Sequence, residues 1–310
     1  MSRTALFFPG QGAQYVGMAR DLYDADPAVK ELYELASDEL SADIAAISFD
    51  GPADELRKTQ FTQPAILLHS LAILCALRDR RPEFDFVAGH SLGEYSALAA
   101  AGSLSFEDAV RAVVKRATLM EEACRRHPSN MAAIIGLDAT KVEEICTAAS
   151  GSGTVVPANY NAANQVVIAG ELDAVEEAMS LARAVGARRA IMLEVGGAFH
   201  SPLMESAQTE LESYLDQVTF HAPSRPLIAN VTAQPVVAPN DIRRLLVQQV
   251  TAPVKWWQTM TYLARESVTT VIEIGPGTVL TGLARRDMKL ERIINLGTLA
   301  AVEAFEAVPA

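Results

Sequence analysis

Basic residues are scarce in this chain. Its 310 residues include 26 Lys and Arg against 38 Asp and Glu, a formal net charge of −12. That balance excludes a general nucleic-acid binder, because phosphate contacts need a local excess of cations. Cysteine is scarce too: Cys75, Cys124 and Cys146 are odd in number, widely spaced and set in helical patterns. Such spacing excludes a disulfide framework and a thiolate metal site, so the three read as small core residues and no metal is expected. No run reaches the roughly 18 to 20 uncharged apolar residues of a membrane span. The longest, residues 65–77, is interrupted by His69 and Ser70 and predicts a buried helix. Only four apolar residues precede Pro9-Gly10, too few for a signal-peptide core, so the expected compartment is the cytoplasm. Repeats and low-complexity tracts are also lacking.

What is present is an apolar half. With 50% hydrophobic and 21% charged residues, the chain suits one large globular unit, or one with a smaller lobe inserted. The first 125 residues alternate strand and helix: a strand over 4–8, a glycine loop, helices, an apolar helix after Pro64, a strand over 83–87, a helix over 94–101 closed by Gly102, and a long helix from Ser105 to Arg126. The pattern then changes. Residues 131–137 read as a strand, 139–149 as a helix, 155–159 and 165–169 as strands, 172–185 as a helix and 189–195 as a strand. This β-α-β-β-α-β order is that of ferredoxin-like modules. It predicts an α/β fold with a large subdomain over 1–127 and 197–310 and an inserted small subdomain over 128–196. After the insertion the chain returns to helices and short strands, with a strand over 269–274 ending in Gly275-Pro276-Gly277.

The sharpest local signal is Val87-Ala88-Gly89-His90-Ser91-Leu92-Gly93-Glu94, an apolar strand running into G-x-S-x-G. In that elbow the serine sits on a strained strand-to-helix turn at a helix N-terminus, and the two glycines keep side chains from colliding across it. A pentapeptide this short also recurs in unrelated loops, so the elbow alone leaves coincidence open. Serine needs a base. Of the five histidines, His69 lies inside an apolar helix, and His127 and His221 lie beside prolines or on polar turns. His90 points differently on the tight turn. His200 follows a strand and the Gly196-Gly197 pair and precedes Ser201-Pro202, a helix start, which displays it from a loop; a histidine that merely caps or packs is the alternative there.

Helix phase singles out Arg116. Its three- and four-residue neighbours are Ala112, Val113, Leu119 and Met120, whereas Arg111 and Lys115 share a face with Asp108 and Glu122. Arg116 is thus a cation aimed inward, and burying it unpaired costs several kcal/mol. It needs an anion, from an internal carboxylate or from a ligand, and its planar fork suits a carboxylate. Near the N-terminus, Phe8-Pro9-Gly10-Gln11-Gly12 carries a strand into a glycine turn whose N–H groups can face an anion. It lacks both the Gly-Lys-Ser/Thr ending and the G-x-G-x-x-G spacing of nucleotide loops.

Together with Thr62-Gln63-Pro64-Ala65, Gly89-His90-Ser91-Leu92-Gly93-Glu94-Tyr95, Arg116 with Leu119-Met120, Asn159-Tyr160-Asn161, Gln165-Val166-Val167-Ile168-Ala169-Gly170, Phe199-His200 and Glu273-Ile274-Gly275-Pro276-Gly277, this chain resembles the malonyl-CoA:acyl carrier protein transacylases along nearly its whole length. The resemblance implies an α/β-hydrolase-like large subdomain with a ferredoxin-like insertion. It implies Ser91 as nucleophile, His200 as base with Gln249 as its orienting partner, and the N–H groups of Gln11 and Leu92 as the oxyanion hole. Arg116 would hold the malonyl carboxylate, with Met120, Phe199, His90, Gln63 and Asn161 around the substrate. The coenzyme A thioester is then substrate and no cofactor is bound; the partners are malonyl-CoA and acyl carrier protein, with no nucleic acid and no membrane, and a monomer is expected. Leu92 and the Gly197-Ala198-Phe199-His200 run match malonyl-selective members, where branched-extender ones carry Gln and Tyr-Ala-Ser-His. Arg188-Arg189, Arg125-Arg126 and Arg285-Arg286 with Lys289 are candidate patches for the anionic partners. A chain starting at Met1 without flanking synthase domains predicts a free-standing enzyme of fatty acid synthesis. A malonyl-specific acyltransferase serving a polyketide pathway, a serine (thio)esterase and a non-catalytic docking module are the alternatives.

Overall fold

The computed structural model describes residues 2–305. Its strands, in chain order, are β1 (Arg3–Phe8), β2 (Phe86–Gly89), β3 (Ser129–Ile135), β4 (Val155–Ala162), β5 (Gln165–Glu171), β6 (Arg189–Met192), β7 (Leu227–Ile228), β8 (Pro235–Val236), β9 (Val268–Ile274) and β10 (Arg292–Leu296). They form two sheets, ordered β10-β9-β1-β2-β7-β8 and β4-β5-β3-β6.

In the first sheet every pairing is parallel except the β7–β8 hairpin. Parallel strands carry helices on both faces, so the central ones read as continuous apolar runs rather than alternating ones. Ala5, Leu6, Phe7 and Phe8 are all buried, Leu6 and Phe8 towards one hydrophobic cluster and Ala5 and Phe7 towards another. The register pairs Phe8 with Gly89, so the turns after β1 and β2 leave the sheet side by side at its carboxyl edge. The short β7 lies next to β2 and delivers Asn230 to the same edge.

Several bounds differ from the sequence expectation: β3 spans Ser129–Ile135 and not 131–137, β4 runs on to Ala162 and not 159, β6 stops at Met192 and not 195, and two further elements differ for identifiable reasons. The strand before the elbow begins at Phe86, not residue 83, because Asp85 turns in to accept the Thr4 N–H on its carboxylate at 2.9 Å. The apolar helix spans Thr59–Leu77 and therefore starts five residues before Pro64. Pro64 sits in its second turn, where it removes a single backbone bond, an early one to Gln60. With those added residues this helix is long and apolar enough to cross a membrane by length and composition, contrary to the reading of its sequence. Most of it is buried inside the fold, packed on the helix Phe106–Arg126.

The second sheet is antiparallel throughout, and its elements follow the expected β-α-β-β-α-β order. Alternation explains its placement. Ala132, Ile134, Val166 and Ile168 face the helices Ala139–Ala149 and Leu172–Ala184, while Met131, Ala133, Val167 and Ala169 join the main core. A bridge from Asn159 in β4 to Val254 adds a backbone tie between the two sheets' regions.

Candidate active site

The elbow is as tight as its glycines require. A Cβ on Gly89 would lie 1.9 Å from the Gly93 carbonyl carbon, and one on Gly93 would lie 2.1 Å from the Phe8 oxygen. Ser91 is held at φ 52°, in the left-handed region that costs a non-glycine residue of order 1 kcal/mol or more. Its own N–H donates to Asn230 Oδ1 at 2.8 Å, and Asn230 Nδ2 donates to the Gly89 carbonyl at 2.7 Å, so the turn is clamped from the neighbouring strand end. Among the described residues the N–H groups of Leu92 and Gln11 have no hydrogen-bond partner. Both belong to the turns that flank the serine.

His200 is also at positive φ, 59°, in a turn braced by Ser201, whose hydroxyl donates to the Ala198 carbonyl at 2.6 Å. Its Nε2 lies 2.8 Å from Ser91 Oγ and its Nδ1 lies 2.7 Å from the main-chain oxygen of Gln249. A carbonyl can only accept, so Nδ1 carries the proton and Nε2 presents its lone pair to the serine hydroxyl. That carbonyl is free for a simple reason. Gln249 ends the helix Pro239–Gln249, and the residue four positions on, whose N–H would have continued the ladder, is Pro253.

Burial, followed by the positive charge of Arg116, pulls the His200 pKa from 6.5 down to about 3. The imidazole is therefore neutral, and able to accept a proton, far below the usual histidine titration. The expected result is a rate of Ser91 labelling by a fluorophosphonate, measured against pH, that stays flat from about pH 8 to about pH 5; a midpoint near 6.5 would contradict this environment. The same burial links folding to pH. Below about pH 6.5 the unfolded chain takes up protons on His69, His90 and His200 that the fold resists, so acid weakens the fold, while Glu94, raised by burial to about 8, acts in the opposite sense as pH rises.

Arg116 is buried at 0% exposure, as its helix phase predicts. Nη1 donates to Gln63 Oε1 at 2.5 Å, and Nη2 donates both to Ser91 Oγ and to Gln249 Oε1 at 3.0 Å. No carboxylate forms a salt bridge with it among the described residues, and its Nε has no partner. Of five donors, three are used. The site thus holds a desolvated cation with donors to spare beside the reactive hydroxyl.

The sequence-predicted residues divide into two groups. Ser91, His200, Arg116, Gln63 and Gln249 form one hydrogen-bonded cluster, with Met120 attached through Gln63 Nε2 at 3.6 Å from its sulfur. Gln11, His90 and Asn161 line a cleft of about 440 Å³ between the two sheets, where His90 Nε2 meets Asn161 Oδ1 at 2.9 Å. Phe199 and Leu92 are buried in the main core. Of the three basic patches only Arg286 reaches the cleft; Arg125 pairs with Glu121, and Arg188 packs its Cβ stem against Gly136. Two residues of the cluster escaped the sequence reading, Asn230 and Glu94. Asn230 carries no local signal. Glu94 does, as a carboxylate in a helix, Gly93–Ala100, whose other members are small, apolar or weakly polar.

A serine strained onto a strand-to-helix turn, with a histidine oriented by a carbonyl and a buried arginine with free donors, is an arrangement suited to serine-based acyl chemistry on an α/β fold. Comparison with known proteins agrees. Residues 6–301 match the family described as the acyl transferase domain. The malonyl CoA-acyl carrier protein transacylase of Bacillus subtilis (strain 168) is 44% identical over 287 residues, 92% of this chain and 90% of that one. An acyl-carrier-protein-S-malonyltransferase structure from Bartonella henselae superposes with a TM-score of 0.92 at 42% identity, covering 98% of each chain. A type II polyketide synthase acyl-carrier protein in complex with its malonyl-transacylase gives a TM-score of 0.91 at 39% identity, covering 97% of this chain and 98% of that one. This chain belongs to the acyl transferase family, among its malonyl-CoA:acyl carrier protein transacylases.

Proposed function

We propose that this chain transfers the malonyl group of malonyl-CoA to the phosphopantetheine thiol of acyl carrier protein, in two half-reactions through a malonyl ester on Ser91. Ser91 Oγ attacks the thioester carbonyl while His200 Nε2 takes its proton. The oxyanion is received by the N–H groups of Leu92 and Gln11, each such donor being worth about 3 to 4 kcal/mol of transition-state stabilisation. The intermediate collapses by breaking the carbon–sulfur bond, and His200 returns the proton to the departing coenzyme A sulfur. In the second half-reaction the carrier thiol attacks the ester, His200 takes its proton, and Ser91 leaves as the hydroxyl.

The observation that carries this reading is Arg116, a buried fork with spare donors 3.0 Å from Ser91 Oγ. A hydrolase of simple acyl esters has no use for it, whereas the free carboxylate of a malonyl group does. In this division of labour residues 1–127 and 197–310 hold the reacting groups, and the 128–196 subdomain closes the cleft with Asn161. The chemistry needs no cofactor besides the thioester itself, and the cytoplasm, where coenzyme A thioesters and carrier proteins are made and used, is the matching compartment.

Incubation with malonyl-CoA in the absence of carrier protein tests the scheme. The expected result is a malonyl adduct on Ser91, found by mass spectrometry of the peptide, that persists until a carrier thiol is added. Rapid release of free malonate without any acceptor would replace transfer by hydrolysis. Running the discharge step with a fatty-acid-type and a polyketide-type carrier protein separates the two pathway readings.

A further inference from the structure

The proposed steps leave one buried ionisable group of the cluster without a task. Glu94 lies three residues past the nucleophile, fully buried at 0% exposure, yet among the described residues it forms no hydrogen bond with His200. Its Oε1 accepts the Asn230 N–H at 2.6 Å and its Oε2 accepts Gln249 Nε2 at 2.5 Å. Gln249 Nε2 also donates to the Ser91 carbonyl at 2.9 Å, and Gln249 Oε1 accepts Arg116 Nη2 at 3.0 Å. Carboxyl, amide and guanidinium thus form a chain in which each contact joins a donor to an acceptor.

A primary amide has one donating end and one accepting end, and nothing in its shape decides between them. Both oxygens of the Glu94 carboxyl accept here, one from the Asn230 N–H and one from Gln249 Nε2, so the Gln249 amide turns its NH₂ towards residue 94 and the Ser91 carbonyl, which leaves its oxygen for Arg116. We propose that Glu94 is a positioning residue for substrate choice: through the orientation of the Gln249 amide it holds Arg116 in the pose that receives the acyl carboxylate. This rests on the reading of Arg116 as the carboxylate grip. Interposing an amide has a physical advantage over a direct salt bridge. A carboxylate seated on the fork would occupy the donors that a malonyl carboxylate needs and would repel it, whereas a carboxyl group one amide away leaves those donors open.

Glu94→Gln tests this with an isosteric change. Residue 94 then carries its own donor, and either orientation leaves that donor facing another, at the Asn230 N–H or at Gln249 Nε2. Turning the Gln249 amide over removes that clash only by pointing its NH₂ at Arg116 and its oxygen at the Ser91 carbonyl, so the partner that holds Arg116 is disturbed in either arrangement. The expected effect is a rise in the malonyl-CoA KM of roughly 10-fold or more, the size of one lost charge-assisted contact, with a similar fall in the malonyl-to-acetyl ratio of kcat/KM. Fluorophosphonate labelling of Ser91 reports separately on the serine–histidine pair. An unchanged malonyl-to-acetyl ratio, or an equal loss with both substrates carried by kcat, would overturn the assignment. Should Glu94→Gln fail to fold, Glu94→Asp retains an acceptor for the amide and is expected to keep the malonyl preference; its loss in a folded Glu94→Asp protein counts against the proposal. Arg116→Ala in the same assay separates the two levels. A ratio moved by Arg116→Ala but not by Glu94→Gln removes only this inference, and a ratio moved by neither removes the reading of Arg116 as well.

Discussion

Alanine at position 91 is expected to lower malonyl transfer by on the order of 10⁵- to 10⁶-fold, the scale on which removal of a serine nucleophile acts. The substitution takes away the only atom of the cluster that sits at once 2.8 Å from a lone-pair nitrogen and 3.0 Å from the buried guanidinium. No neighbour can substitute for it. His200 is fixed by the Gln249 carbonyl behind it and by its turn, and Gln63 and Gln249 are amides without nucleophilic character. The backbone should be indifferent, since alanine and serine meet the same strain at φ 52° and the clamp from Asn230 is made to the main-chain N–H. Transfer assays with malonyl-CoA and carrier protein, paired with a melting curve, check both halves. A variant that keeps transfer within tenfold of the parent would remove the ester on Ser91 from the mechanism.

The second large effect concerns Arg116→Ala. Two charge-assisted hydrogen bonds to the acyl carboxylate are worth together about 3 to 4 kcal/mol, so kcat/KM for malonyl-CoA is expected to fall about 10²- to 10³-fold. Acetyl-CoA has no carboxylate to lose, and its relative rate rises. The change has a second consequence at His200. Arg116 is the next cause after burial of that imidazole's depressed pKa, so its removal moves the titration upward, towards the ordinary histidine range. Loading rates measured with both thioesters across pH separate the two effects. Arg116→Lys, a point charge without a fork, should recover only part of the malonyl rate. Equal losses with malonyl and acetyl substrates would make the arginine a structural cation, held for Gln63 and Gln249 and not for a ligand.

Much of this site is legible in the sequence because its signals are local. The elbow is a pentapeptide whose glycines answer to contacts between residues at most four apart, and to the one strand it crosses. Arg116 declares itself through helix periodicity, since Ala112, Val113, Leu119 and Met120 share its face whatever the helix packs upon. The inserted sheet shows in its alternating strands. The strand before the elbow was misread through a residue whose effect is not local, since Asp85 leaves the strand to meet Thr4, 81 positions away. The start of the Thr59–Leu77 helix was misread because Pro64 reads as its beginning, whereas it stands in the second turn and removes one backbone bond of a helix buried against the rest of the fold.

What the sequence determined by itself is therefore the α/β class, the strained serine and the inward cation, each a matter of periodicity or of backbone sterics within one turn. Tertiary structure alone decided which groups those residues meet. His200 reaches Ser91 across 109 positions and Gln249 reaches the Ser91 carbonyl across 158, distances that only the register of β1, β2 and β7 and the landing of the Pro239–Gln249 helix can close. The placement of Glu94 against Gln249, and not against the histidine, belongs to the same category. Hydrogen-bond partners of buried polar groups are chosen by where the chain brings them, and a linear sequence carries the groups without the meeting.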